Sequence, residues 1–129
     1  MIFMAEVVFF RPKLEDRPGI NFNSDTGLME IEGRSLPEDS VVYYQPAIAW
    51  LREYALNPSP KTILDINIHY MNSASAKRIV DMLEILDGIK KQGFLAEVVW
   101  KYKEEDDECL DEGYEMARMC SVPFNYRPI

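Results

Sequence analysis

The stretch Asp65-Ile66-Asn67-Ile68-His69-Tyr70-Met71-Asn72-Ser73-Ala74-Ser75-Ala76-Lys77 decides the fold. Up to Tyr70 the pattern alternates, with Leu64, Ile66, Ile68 and Tyr70 on one face and Ile63, Asp65, Asn67 and His69 on the other. That is the period of a strand buried on one side and at least partly wet on the other. After Asn72 the period changes. Ile79, Val80, Met82, Leu83, Leu86 and Ile89 recur at helical spacing, while Lys77, Arg78, Asp81, Glu84 and Asp87 fill a polar side. This predicts an amphipathic helix ending before Gly93. The junction sets Ser73 at a helix start, where backbone N–H groups lack intrahelical partners and the dipole end is positive.

Upstream, Ile20-Asn21-Phe22-Asn23 and Leu28-Met29-Glu30-Ile31-Glu32-Gly33 flank Ser24-Asp25-Thr26-Gly27, which is a hairpin signal. Val7 to Phe10 predicts an earlier strand limited by Pro12, and Lys13 to Gly19 a loop. Ser35 and Glu38 have the spacing of a capping box, with Pro37 acceptable in a first turn, so a helix is expected to begin at Ser35. Val41, Tyr44, Ile48, Leu51 and Ala55 continue it, Pro46 should bend it, and Asn57-Pro58-Ser59-Pro60 ends it. Trp50 and Tyr54 read as core aromatics.

Downstream, Phe94, Ala96, Val98, Trp100 and Tyr102 alternate as a strand. The acidic run Glu104 to Glu108 complements the dipole of a third helix carrying Leu110, Tyr114 and Ala117. Val122 to Tyr126 forms a closing strand, placed at an edge by Pro123. Interleaved strands and helices give an α/β domain over residues 1–129: a mixed sheet of four or five strands with three helices mainly on one face.

Composition narrows function. A chain of 129 residues that is 47% hydrophobic can bury a core without staples. Net charge −8 and a pI near 4.6 oppose binding to phosphate backbones or anionic lipid, so neither nucleic acid nor membrane is an expected partner. Glu6 interrupts the apolar start Met1 to Phe10, no basic segment precedes it and no cleavage site follows, which suggests a cytoplasmic protein rather than a secreted one. Cys109 and Cys120 lie about 16 Å apart along a helix and its exit, beyond disulfide reach. With one histidine, no metal site is expected, and no glycine-rich phosphate loop or cofactor fingerprint is present.

Three readings attach to the central junction. In the first, Asn72 or Ser73 simply caps the helix. In the second, a phosphoryl group on Ser73 meets free N–H groups and adds up to about two negative charges to an exposed corner, where it disrupts a docked partner. Asn72, Ser75 and Lys77 would then shape the local, partner-binding site. In the third, Asp65, His69 and Ser73 form a small hydrolase triad, although residues in a row along a strand have no assured mutual hydrogen bonds and no nucleophile elbow is present.

Gly33-Arg34-Ser35-Leu36-Pro37-Glu38, Tyr43-Tyr44-Gln45-Pro46 leading to Trp50-Leu51, Tyr70 to Lys77, the Glu104 to Glu108 run, and Val122-Pro123-Phe124 occur in an order that resembles the SiaC family of bacterial regulatory phosphoproteins. The resemblance covers residues 16 to 126. It implies a STAS-like α/β fold and a non-enzymatic switch without cofactor. A dedicated Ser/Thr kinase would phosphorylate a hydroxyl in the family's Asn-Thr-Ser-Ser segment, a PP2C-type phosphatase would reverse this, and the unphosphorylated form would bind and activate a diguanylate cyclase. Ser73 matches the modified position, with serine for the usual threonine and Ala74 for the next serine. A constitutive interaction module of the same fold is the alternative.

Overall fold

The computed structural model describes residues 6–129, so the first five residues of the apolar start lie outside it. The elements run β1 (Val8–Arg11), β2 (Gly19–Asn23), β3 (Leu28–Ser35), α1 (Ser40–Tyr54), β4 (Lys61–Met71), α2 (Ser73–Lys91), β5 (Leu95–Tyr102), α3 (Asp107–Ala117) and β6 (Phe124–Pro128). Chain order is also sheet order. β1, β2 and β3 are antiparallel neighbours, whereas β3 to β6 run parallel. The sheet therefore has six strands rather than the expected four or five, because the Val8 and Phe124 segments both join it as edges.

The hairpin forms where the sequence places it. Asn23 Oδ1 accepts from the N–H groups of Asp25 and Thr26, and Asn23 pairs with Leu28. Gly27 takes φ 74°, and a Cβ there would lie 2.1 Å from the Lys61 carbonyl oxygen, so no larger residue fits.

One face of the sheet carries Ile20, Phe22, Met29, Ile31, Leu64, Ile66, Ile68, Val98 and Trp100 into a single core shared with the helices. Tyr44, Ala47, Ile48 and Leu51 of α1 and Ile79, Met82, Leu83, Leu86 and Ile89 of α2 fill it. Gly113 brings α3 close: a Cβ there would sit 2.7 Å from Trp100 Nε1, the nitrogen that donates to the Cys109 carbonyl. The alternate set of sheet residues includes Glu30, Glu32, Asp65, Asn67 and Lys101, which line an open hollow of about 280 Å³. Alternation in β4 thus separates core from solvent as its sequence dictates.

Two expectations change. Ser35 does not cap α1. It ends β3, opposite Met71, and its buried hydroxyl lies 2.5 Å from Tyr44 Oη. Asp39 is the cap, accepting from the Val42 N–H at 3.2 Å. Parallel pairing with β4 satisfies the backbone through Ser35, which outweighs a local capping box. Val41 and Tyr70, both assigned to apolar faces, are exposed. Tyr70 lies beyond the helical cover and packs under the Arg34 guanidinium, 5.3 Å from its ring centre. Pro46 sits inside α1 and leaves the Val42 carbonyl without its usual donor, at a residue open to water.

Candidate functional site

β4 delivers Asn72 to the carboxyl end of the parallel strands, where α2 begins. Asn72 has extended backbone angles and its Oδ1 accepts from the Ser75 N–H at 2.8 Å, so Asn72 is the cap and Ser73 is the first helical residue. Ala76 N–H bonds to the Asn72 carbonyl at 3.0 Å. The N–H groups of Ser73 and Ala74 find no acceptor among the described residues. They lie at the positive end of a helix with no acidic residue in its first turn.

Ser73 and Ala74 are exposed, and Lys77, one turn further on, is exposed as well. Lys77 makes no ion pair with the described residues. Ser75 has the opposite environment. It is fully buried, and its hydroxyl donates to the Ser35 carbonyl at 3.1 Å. The same carbonyl accepts from the Asn72 N–H at 3.1 Å. Ser35 therefore holds the start of α2 twice, and its own hydroxyl ties this point to Tyr44 of α1. Burial, outweighing the Ser35 contact, pushes the Tyr44 hydroxyl well above its ordinary value. A buried phenol that stays neutral can serve as a fixed strut under the site.

Ser35 and Tyr44 were not legible as site residues. Their partners are 37 and 40 residues away for the Ser35 carbonyl, as Asn72 and Ser75, and no local pattern marks a carbonyl as a hub. The remaining candidates do not converge. Asp65 is bound by Lys101 at 3.1 Å on the open face. His69 lies four residues along the same strand, about 13 Å from Asp65 at strand rise, so no Asp–His bond can orient the imidazole. His69 instead borders a hollow with Tyr70, Lys103 and the acidic loop before α3.

That loop supplies the second helix start nearby. Asp106 caps α3, accepting from Cys109 N–H at 3.0 Å, with Asp107 and Glu108 in the first turn. Both cysteines are free. Burial, then the nearby Asp106 and Glu112 carboxylates, push the Cys109 thiol up to about 11, so it stays protonated and unreactive at neutral pH. Among the described residues no group of three His, Cys, Asp or Glu is placed to hold a metal ion. No helix there is long and apolar enough to cross a membrane.

Comparison with known proteins agrees with this architecture. A chain of the crystal structure of the diguanylate cyclase SiaD in complex with its activator SiaC, from Pseudomonas aeruginosa, superposes with a TM-score of 0.88 at 23% identity, covering 94% of this chain and 99% of that one. Apo-SiaC from the same organism gives 0.87 at 23% identity, with 93% and 98% covered. An uncharacterized protein of P. aeruginosa strain UCBPP-PA14 is 25% identical over 113 residues, 88% of this chain and 90% of that protein. The family model described as SiaC family regulatory phosphoprotein matches residues 11–129. With nearly its whole length matched in sequence and the fold shared, the chain belongs to the SiaC family.

Proposed function

We propose that this protein is a non-enzymatic regulator that binds a signalling partner of the diguanylate cyclase class while Ser73 is unphosphorylated, and releases it when a Ser/Thr kinase modifies Ser73. A PP2C-type phosphatase resets it. The whole chain would act as a single regulatory domain.

The observation that carries this reading is the chemistry of the α2 start. Ser73 presents an exposed hydroxyl at the first helical position, beside two N–H groups without acceptors and a lysine, one turn away, without an ion-pair partner among the described residues. A phosphoryl group there gains donors within the fold, so the modified protein stays folded. Toward a partner the same group adds up to about two charges and a tightly held water shell, both costly to bury at an interface. Ser75, although also a serine near the helix start, is buried and engaged, so it shapes the site from below instead of competing for the kinase. Asn72 fixes the helix start, and Lys77 supplies the countercharge. The named SiaC relative, which activates the cyclase SiaD, supports the partner class.

Incubation with the cognate kinase and ATP, followed by mass spectrometric mapping, should place one phosphate on Ser73, and Ser73→Ala should abolish it. Modification at another residue would reject the assignment. If the protein is instead a constitutive module, Ser73→Asp will leave affinity for the cyclase unchanged, whereas the switch requires a loss of about tenfold or more, the equivalent of roughly 1.4 kcal/mol.

A further inference from the structure

Below Ser73 the first turns of α2 face α3 across a trough. Two adjoining hollows of about 370 Å³ each share Ala76, Met116 and Met119 as their floor. Val80 extends the floor along α2. Met119 is 57% exposed, and methionine side chains adapt to varied apolar partners.

The two walls differ in sign. Glu108, Asp111, Glu112 and Glu115 line the α3 side at spacings of three, one and three residues, which sets them in one stripe along the helix. Among the described residues only Glu115 of these is paired, with Arg118 at 2.5 Å. Burial pushes the Glu112 carboxyl above its usual range, and the Asp106 and Glu108 carboxylates add to the shift in the same direction. The α2 side carries Lys77, Arg78 and Asp81, the last two paired at 3.0 Å so that Lys77 is the net charge of this wall, and ends at the positive helix start that bears Ser73.

We infer that this trough docks an amphipathic partner segment whose apolar ridge is flanked by Lys or Arg on one side and by Asp or Glu on the other. The ridge covers Met116 and Met119, the cationic flank meets the α3 stripe, and the carboxylate flank meets Lys77 and the α2 start. Such a segment can lie in only one direction, since reversing it sets like charges together. The inference rests on the switch reading and gives it a sign. A purely basic partner would be drawn closer by phosphate on Ser73, whereas phosphate beside the α2 wall repels a carboxylate flank.

Synthetic helical peptides of about 18 residues, or five turns, with a leucine ridge and flanks of Lys/Glu, Lys/Lys or Glu/Glu, test this on the full chain by amide chemical-shift mapping. The Lys/Glu peptide should shift Ala76 and Met119 and bind about tenfold more tightly than the Glu/Glu peptide. Met119→Asp, at an exposed position, should abolish its binding while the thermal midpoint holds. Ser73→Glu should weaken the Lys/Glu peptide about fivefold and leave the Lys/Lys peptide no weaker. No binding by any peptide, equal binding by all three, or shifts away from the trough would overturn the inference. Peptide binding to the unmodified protein needs no kinase, so failure of Ser73 as the modified residue leaves the docking result readable on its own.

Discussion

α2 and α3 begin at the same end of the sheet, just after β4 and β5, yet their first turns carry opposite chemistry. α3 is capped by Asp106 and has Asp107 and Glu108 in its first turn. Its dipole is answered by its own chain. α2 is capped by the neutral Asn72 and has no acidic residue in its first turn. Its positive end is left open, with an exposed hydroxyl on it. α1, capped by Asp39, sides with α3 in using a charged cap. Among the three helices only α2 combines a neutral cap with a first turn free of acidic residues, so an added anion at its start meets no like charge from its own cap or first turn.

Unseating α3 should have the largest effect. Gly113→Val would drive side-chain atoms into the Trp100 indole and disturb its bond to the Cys109 carbonyl. Chemical denaturation should report a loss of about 3 kcal/mol, the upper range for overpacking. If stability is unchanged, α3 is not seated on Trp100 and its acidic turn is not fixed beside α2.

Removing the neutral cap is the next test. Asn72→Ala should cost about 1 kcal/mol, because the Ser75 N–H loses its acceptor. The same denaturation series will read it. Asn72→Asp, which makes α2 resemble α3, should retain stability but reduce any gain from phosphorylation.

That gain is the third expectation. Phosphorylated Ser73 should raise stability by about 0.5 to 1 kcal/mol at low salt and by less at high salt, compared by thermal melts of the modified and unmodified protein. A destabilised phosphoprotein would mean that the free N–H groups of Ser73 and Ala74 do not receive the phosphate.

The smallest effect lies on the acidic side. The folded state raises the Glu112 pKa, so it favours the protonated form, and that contribution is present below the ordinary glutamate range and lost as pH rises through the folded value. Glu112→Gln should therefore stabilise the protein by roughly 0.5 kcal/mol or less at pH 7 and not at all below about pH 4, since the carboxylate is partly exposed. Equal effects at both pH values would remove like-charge crowding as the distinguishing feature of α3.

Elements whose signal is local and periodic were legible in the amino-acid sequence alone. Alternation in β4 and β5, the helical spacing of α2, the Asn23 to Gly27 turn and the strand-to-helix change at Asn72 are written in neighbouring residues, and the structure keeps them. The start of α2 at Ser73 was legible for the same reason, because a helix start is a local event. Tertiary structure decided the rest. Only pairing of Ser35 with Met71 shows that Ser35 belongs to a strand and not to a cap. Only the return of α2 over the sheet places Ser75 against the Ser35 carbonyl, 40 residues back. Sheet order, the exposure of Tyr70 and the two-signed trough between α2 and α3 likewise depend on which elements meet. Periodicity states which face of an element is apolar, but not which neighbour will cover it.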